Sequence, residues 1–376
     1  MTICKRNDYL EKDSDLVNIY LSIIKNFFYR IKLVMALKKF SKSSSFYLNT
    51  KQDFFSSNEA LLHKSHVQND FYASQPKRQI CKICQSTLPH SVDFHSHNVD
   101  YVFCEVCSHL NGCFEDTKSF VENLYISDEG FDYSKNYIDD NYLQRTTDIY
   151  IPKVDFLVTT LPSKKYEILD VGCGSGYFVL ASLLRNISVS GLDVSKKMVE
   201  FGNSQISQHS NQQPLLFVEE NDFYEQILDS NADIVSAIGV IEHLREPQKF
   251  FEAFQKSSAQ YLYYSVPMFS LSVVLENVFK SVFPRQLSGG HTHLFTESSI
   301  SKMNNLIGVT SIGEWRFGTD GMDLYRHLLT NLQANQSSQK MIDFLYSGFG
   351  EKIDEIQSIF DENHFCSEIH VIASKM

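Results

Sequence analysis

The sequence lacks an excess of positive charge. Its 376 residues include 34 Lys and Arg against 45 Asp and Glu, which gives a formal net charge of -11. Proteins that bind nucleic acid usually present a basic face that neutralises the phosphates. The acidic balance therefore argues against DNA or RNA as the substrate, and no nucleic-acid partner is expected.

The sequence also lacks long apolar runs. No stretch reaches 18 uninterrupted apolar residues, so no transmembrane helix is predicted. Residues 1–15 are polar and of mixed charge, and no small-residue cleavage site follows an apolar run, so no secretory signal is predicted. Because 43% of the residues are hydrophobic, the chain can bury a sizeable core. We expect a folded, cytoplasmic protein.

The first 75 residues predict a helix followed by a linker. Residues 16–40 are apolar and become basic toward their end, which is typical of a helix. We favour a helix packed on the rest of the chain, with peripheral membrane contact through residues 16–40 as the alternative. Residues 41–75 are rich in Ser, Asn, Gln and His without a usable period, which indicates a polar linker.

Four of the eight cysteines form a compact pattern within residues 76–115. Cys81 and Cys84 form one Cys-x-x-Cys pair, and Cys104 and Cys107 form a second pair 19 residues later. Two such pairs at this separation predict a structural zinc site, because four thiolates leave no open coordination position. Rubredoxin-like iron and a redox dithiol are weaker alternatives. Four nearby histidines could replace one cysteine: His90, His95, His97 and His109.

The remainder of the chain predicts an α/β domain. Residues 116–160 look mostly helical and form a connector, and residues 161–376 form the domain itself. Short apolar runs then alternate with helical stretches, which indicates a parallel sheet with crossover helices. The predicted strands are Glu167–Val171, Ser188–Val194, Leu215–Glu219, Ala232–Ile238, Tyr261–Val266 and Ser367–Ser374.

A glycine-rich loop follows the first of these strands. Gly172, Gly174 and Gly176 alternate with small residues, two positions after Asp170, and a helix is predicted from Tyr177. Glycine permits a sharp turn and a close approach of ligand, and a helix start presents free N–H groups. A dinucleotide site would need its third glycine at position 177, which is tyrosine here.

The spacing resembles motif I of class I S-adenosylmethionine-dependent methyltransferases. That resemblance implies a Rossmann-like seven-stranded sheet and S-adenosyl-L-methionine as cofactor, with the loop under its methionine part. Asp193 and Val194 close the next strand. By the same resemblance, the Asp193 carboxylate holds the two ribose hydroxyls.

Two later segments extend the resemblance. Asp222 resembles the family residue that accepts a hydrogen bond from the adenine amino group, with Phe223 beside the ring. The run Gly239-Val240-Ile241-Glu242-His243-Leu244 is similar to a motif of small-molecule methyltransferases, and it places Gly239 at the cofactor. The resemblance covers roughly residues 165–270 well.

The segments after strands four and five bear on the acceptor. Residues 238–241 contain no proline, so the Asn-Pro-Pro-Tyr run of enzymes that methylate planar amino groups is absent. Candidate bases are His243, His291 and His293, since a positioned base assists a hydroxyl or carbon-acid nucleophile. The pair His291 and His293 follows a Gly289-Gly290 hinge, which suits a substrate lid.

These features predict a small-molecule methyltransferase. A cysteine ribbon ahead of a class I domain resembles sugar methyltransferases, so a sugar or glycan-precursor hydroxyl is the expected acceptor. A lipid-linked or quinone-like acceptor is the alternative, which the basic apolar segment 16–40 would favour. A catalytically inactive zinc-containing adaptor is the alternative from another class, and the intact glycine loop argues against it.

Overall fold

The structure, a computed structural model, describes residues 36–44, 53–126, 141–220, 222–287 and 291–376. The chain divides into two compact units, residues 1–37 and residues 38–376, and nearly all of the described residues belong to the second. Most of the helix predicted over residues 16–40 lies outside the described residues. Within the described ranges, no helix has both the length and the apolar character that crossing a membrane requires.

The central sheet is mixed. Its order is β1-β11-β12-β9-β8-β5-β6-β7, and its strands are Leu37–Phe40 (β1), Glu167–Val171 (β5), Ser188–Asp193 (β6), Leu215–Phe217 (β7), Ile234–Ile238 (β8), Tyr261–Pro267 (β9), Val309–Phe317 (β11) and Glu368–Lys375 (β12). The strands from β9 to β7 are parallel, whereas β12 runs antiparallel to both β9 and β11. The prediction of a parallel core is confirmed, but the predicted count of seven strands is wrong by one.

Helices fill the connections between the strands. In chain order they are Asp53–Ser56 (α1), Asn58–Ala73 (α2), Lys118–Val121 (α3), Tyr142–Arg145 (α4), Ile151–Thr160 (α5), Tyr177–Leu184 (α6), Lys196–Ile206 (α7), Phe223–Leu228 (α8), Pro247–Lys256 (α9), Leu271–Val278 (α10), Glu297–Ile307 (α11), Asp320–Ala334 (α12), Gln339–Gly348 (α13) and Ile353–Glu362 (α14). Wider π-helical turns, Glu122–Ile126 and Thr146–Tyr150, extend α3 and α4. Most of the described residues between 116 and 160 are therefore helical, whereas residues 116, 117 and 141 are not.

Alternate residues of each central strand enter two different cores. In β5, Ile168 belongs to one buried cluster, while Leu169 and Val171 belong to the other. This alternation follows from the period of two along a strand, and it places hydrophobic side chains on both faces of the sheet. Helices α5, α6 and α7 cover the Ile168 face, and helices α9 and α11 cover the other.

The eighth strand, β1, corrects the helix predicted through residue 40. Trp315 of β11 explains why these residues are extended. Its Nε1 donates a hydrogen bond of 2.9 Å to the Ser41 carbonyl, and Lys39 Nζ lies 3.5 Å from the centre of its ring. The basic and apolar pattern of the segment predicts a helix, but the partner that decides the outcome lies more than 270 residues away.

Helix α2 corrects the prediction of a polar linker over residues 41–75, of which residues 45–52 lie outside the described part. The Tyr72 hydroxyl donates to the Phe114 carbonyl at 2.6 Å, and Asn69 Nδ2 donates to the His97 carbonyl at 2.8 Å. Both side chains are buried. The helix is polar overall, and these few contacts with the cysteine module hold it in place.

The cysteine module forms a second sheet that is completed from elsewhere in the chain. Its strands are Phe94–Ser96 (β2), Val99–Phe103 (β3) and Leu110–Gly112 (β4), and the fourth strand is His293–Leu294 (β10), in the order β10-β4-β3-β2. Strand β10 follows β9 in the α/β domain, and it pairs antiparallel with β4. The module and the domain therefore share a sheet as well as a hydrophobic core.

The four predicted metal ligands form one cluster. The Sγ atoms of Cys81 and Cys107 are 3.7 Å apart, and those of Cys84 and Cys104 are 3.5 Å apart. Each Cys-x-x-Cys pair forms a tight turn. The Gln85 N–H donates to the Cys81 carbonyl at 3.0 Å, and the Ser108 N–H donates to the Cys104 carbonyl at 2.7 Å. Thiolates about 2.3 Å from a tetrahedral zinc would have a similar separation, so the cluster fits a metal ion. The identity of the metal as zinc stays a prediction.

We predict that Cys84→Ser removes the metal and destabilises the whole unit, because metal binding contributes folding free energy and the module shares its core with the domain. Elemental analysis should find about one zinc per chain in the wild type and less than a tenth of that in the variant, with a lower melting temperature. Cys113→Ser is the matched control, since this thiol lies outside the cluster. Full metal content in Cys84→Ser would show that the cluster is not the site.

We also predict that His97 makes the fold acid-sensitive. Burial lowers its pKa to about 4, and Nε2 lies 3.2 Å from the Glu276 carbonyl of α10. Between that pKa and the unfolded value near 6.5, the unfolded state binds the extra proton, so stability falls as the pH is lowered. From pH 7 to pH 5 the loss should be roughly 2 kcal/mol. His97→Asn suits the positive φ of 45° and should reduce the pH dependence of unfolding by that amount. An unchanged dependence would contradict the prediction.

Candidate active site

The glycine loop connects β5 to α6. Gly172 has a φ of 65°, and a Cβ placed there would lie 2.7 Å from Val240 Cγ2. Gly176 has a φ of 76° and forms the N-cap of α6, with Leu215 2.7 Å from the position of a Cβ. A side chain at either position would be strained and would clash with the neighbouring protein, so both turns of the loop require glycine.

The two acidic residues beside the loop differ in role. Asp170 is buried beneath the loop, accepts a hydrogen bond from the Ser236 hydroxyl at 2.6 Å, and has its pKa raised to about 7 by burial. Asp193 closes β6 and is only 8% exposed. Its Oδ2 accepts the Gly174 N–H at 2.8 Å, and its Oδ1 accepts the Ser195 N–H at 2.7 Å. Asp193 therefore fixes the loop in addition to facing the cavity.

A cavity of about 690 Å³ opens above the loop, at the carboxyl end of the parallel strands. Nine of the residues predicted for the site line it: Asp170, Gly172, Gly174, Asp193, Val194, Phe223, Gly239, His243 and His291. Its volume is that of a small-molecule site. Most of the predicted cofactor residues and two of the three candidate bases therefore meet at one cavity.

Three predicted site residues are not among the described residues that line this cavity. Gly176 packs beneath the loop against Leu215 and shapes it from below. Asp222 is exposed at the N-cap of α8, while its neighbour Phe223 is buried and lines the cavity. The contact between Asp222 and adenine stays a prediction.

The third is His293, and the structure corrects its assignment as a base. It is 2% exposed, and burial lowers its pKa well below the usual range. Its Nε2 lies 2.9 Å from the Glu242 carbonyl, which can only accept, so Nε2–H donates and Nδ1 accepts from His109 Nε2 at 2.8 Å. With both ring nitrogens occupied, His293 joins the cysteine module to the domain and cannot take a proton from an acceptor.

His291 and His243 face the cavity together. Their rings stack with centroids 5.7 Å apart and an interplanar angle of 20°. His291 Nδ1 lies 3.1 Å from the Gln286 carbonyl, so Nδ1–H donates and Nε2 keeps the lone pair. Burial lowers the pKa of His291, which keeps the ring neutral at pH 7. The Gly289-Gly290 hinge lies outside the described residues.

Glu242 is a site residue to which the sequence pattern assigns no role. It follows β8 in a 3₁₀ turn, Ile241–His243, and its carboxyl lines the cavity at 5% exposure. Burial raises its pKa to about 8. An acidic residue between an apolar run and a histidine is the signal that could have singled it out, because carboxyl groups are seldom buried without a partner.

Tyrosines from the helical connector cover the cofactor end of the cavity. Tyr142 stacks on Tyr177 at 4.4 Å between centroids, and Tyr150 stacks on the same ring at 5.2 Å. The Tyr142 hydroxyl donates to the Ser175 carbonyl of the glycine loop at 2.6 Å. The sequence showed only a helical stretch here, because the stack depends on how the connector folds over α6.

Basic side chains give the cavity a polar wall. Lys42, Lys153 and Arg285 line it, together with the carboxylate of Glu368. Burial lowers the pKa of Lys42 to about 8, although the charge of Glu368 opposes this shift. The cavity therefore carries basic groups, although the net charge of the whole chain is negative.

One protein family and several solved structures are similar to parts of this chain. Residues 169–259 match the family described as "Methyltransferase domain". A search of curated proteins finds no match. The chain is similar to a magnesium protoporphyrin IX methyltransferase from Synechocystis, with 16% identity and a TM-score of 0.45 over 69% of this chain and 100% of that chain. It is also similar to phosphoethanolamine N-methyltransferase 2 from Haemonchus contortus, with 16% identity and a TM-score of 0.41 over 69% of this chain and 59% of that chain.

The matched segment contains the glycine loop, Asp193 and the turn with Glu242, so it includes one part of the cavity wall. The loop leaves no room for a Cβ at Gly172 and presents a buried carboxylate at Asp193, which fits S-adenosylmethionine. The chain therefore contains a methyltransferase domain, and its glycine loop fits S-adenosylmethionine as the methyl donor.

We predict that Asp193→Ala weakens binding of S-adenosylmethionine by about 2–4 kcal/mol, because two charge-assisted hydrogen bonds to the ribose are lost. Since Asp193 also accepts two backbone N–H groups, the melting temperature should fall as well. Calorimetric titration and thermal melts measure the two effects separately. Asp229→Ala, at an exposed position, is the control for both. Affinity near that of the wild type would refute the role given to Asp193.

Proposed function

We propose that the chain transfers a methyl group to a hydroxyl of a small molecule, namely a sugar or a glycan precursor. The observation that carries the proposal is the arrangement of Glu242, His243 and His291 on the wall of the cavity that also contains the glycine loop. S-adenosylmethionine supplies an electrophilic methyl group, so the protein's part is to align and activate a nucleophile.

The polar groups favour an oxygen nucleophile. A neutral imidazole such as His291 can accept the proton that a hydroxyl loses as it attacks. Enzymes that methylate planar amino groups hold them with a proline-containing run after strand four, and residues 238–241 have none. Gly239 and Val240 stand there instead, both on the cavity wall.

The rest of the wall supports a polar, charged acceptor. Lys153 and Arg285 place cationic hydrogen-bond donors on the same surface. Such donors suit the hydroxyl groups of a sugar and the phosphates of an activated glycan precursor. The cavity volume of about 690 Å³ limits the acceptor to a small molecule or to one end of a larger one.

Incubation with S-adenosylmethionine carrying a labelled methyl group tests the proposal. The acceptor panel should include sugar phosphates, nucleotide sugars, quinols and simple amines. Label on a sugar hydroxyl supports the proposal, whereas label on a quinol or lipid-linked acceptor supports the alternative and overturns it. Cofactor binding without transfer to any acceptor class would favour the inactive adaptor.

We predict that His291→Ala lowers turnover by about 10²-fold, the usual contribution of a positioned general base. Affinity for S-adenosylmethionine should stay near the wild-type value, because His291 is on the acceptor side. Steady-state kinetics and calorimetric titration separate the two quantities. His209→Ala, an exposed histidine outside this cavity, should leave both unchanged. Full turnover in His291→Ala would shift the role to His243.

A further inference from the structure

Three potential metal ligands meet on the acceptor side of the cavity. Glu242, His243 and His291 each offer one ligand atom, and these atoms all lie within 4.8 Å of one another. Two come from the 3₁₀ turn after β8, and the third comes from the segment before β10. The four cysteines form the only other such group found among the described residues.

The carboxyl of Glu242 gives independent support for a ligand at this point. Its side chain is 4% exposed, and its Oε2 makes no hydrogen bond with any described residue. Its Oε1 is 3.9 Å from His243 Nε2, which is longer than a hydrogen bond. Leaving a buried polar atom without a partner is costly, so such an atom in a native cavity calls for a ligand or an ion.

The orientation of His291 fits a ligand role. Its Nδ1–H donates to the Gln286 carbonyl at 3.1 Å, which leaves the lone pair on Nε2. Histidines that bind metals commonly donate their other ring N–H to a carbonyl or carboxylate in this way. The stacked ring of His243 presents a second imidazole beside it.

We propose that Glu242, His243 and His291 bind a divalent metal ion, and that this ion binds the acceptor hydroxyl. Three protein ligands leave coordination positions open to the cavity, as in catalytic metal sites. Two imidazoles and one carboxylate suit Mn²⁺, Fe²⁺, Co²⁺ or Zn²⁺ better than Mg²⁺ or Ca²⁺. The proposal that a metal ion binds here depends only on the geometry of the three side chains. The proposal that the ion takes part in catalysis depends on the proposed function.

The bound ion would lower the pKa of the acceptor hydroxyl, as metal ions do for bound water. The hydroxyl proton leaves to water in the open cavity. The acceptor oxygen then forms a bond to the methyl carbon while the bond from that carbon to the sulfonium sulfur breaks. The electron pair of the broken bond stays on sulfur, giving a methyl ether and S-adenosylhomocysteine. In the metal-bound protein the two imidazoles act as ligands, so the ion takes over from His291 the activation of the hydroxyl; in the metal-free protein that activation stays with His291 as general base.

Titration of the zinc-loaded full chain with Mn²⁺, followed by the electron paramagnetic resonance signal of free Mn²⁺, tests the site. Thiolates prefer zinc, so Mn²⁺ should report on the proposed site and leave the cysteines loaded. We expect one Mn²⁺ per chain, with affinity at least tenfold weaker in Glu242→Gln and in His291→Ala. Glu200→Gln and His209→Ala, both exposed, are the matched controls. Unchanged binding of S-adenosylmethionine verifies that each variant is folded.

The proposal is overturned if the wild type binds no Mn²⁺, or if both variants bind Mn²⁺ as tightly as the wild type does. A chelator that leaves the cysteine zinc in place then tests the catalytic role. Loss of methyl transfer on chelation, restored by Mn²⁺, supports it. Full transfer without the ion overturns the metal's role while the hydroxyl acceptor stands. If the protein binds Mn²⁺ at this site but methylates no hydroxyl, the proposed function is overturned and the metal site stands.

Discussion

The structure depends on one buried imidazole, that of His293. A buried ring with two nitrogens needs two partners, and here one is His109 of the cysteine module and the other is the Glu242 carbonyl. The antiparallel pairing of β10 with β4 surrounds this contact. The three segments are therefore fixed against one another, and with them the position of the Glu242 side chain. The module acts as the structural support of the acceptor side of the cavity.

The carboxylates at the two ends of the cavity differ in how far the protein satisfies their hydrogen-bonding capacity. At the cofactor end, both oxygens of Asp193 accept backbone N–H groups, and the Tyr142 hydroxyl donates to the glycine loop. At the acceptor end, Glu242 Oε2 has no hydrogen-bond partner among the described residues. The Asp193 carboxylate is therefore held in place before any ligand binds, whereas the Glu242 carboxyl and the Ser175 hydroxyl of the glycine loop are polar groups that a ligand can complete.

Local patterns were sufficient to predict the strands that carry the glycine loop, because alternation of buried residues and the loop spacing are properties of contiguous sequence. They also predicted the cysteine cluster. They failed where a distant partner decides the outcome: β1 depends on Trp315, and α2 depends on the cysteine module. The two histidines after the Gly-Gly pair illustrate the limit within the site. They are two residues apart, yet only His291 reaches the cavity, because strand pairing with β4 takes His293 into the module.

The shared sheet also sets an order of events during synthesis. His109 and His293 are separated by 184 residues, so the ribosome delivers β4 long before its neighbour β10. At roughly 5–20 residues per second, the delay is roughly 10–40 seconds. During that interval the nascent cysteine module carries an open strand edge, a feature that invites pairing with other chains. Early capture of a metal ion by the four thiolates would give the module its shape, but only arrival of the later strand closes its edge.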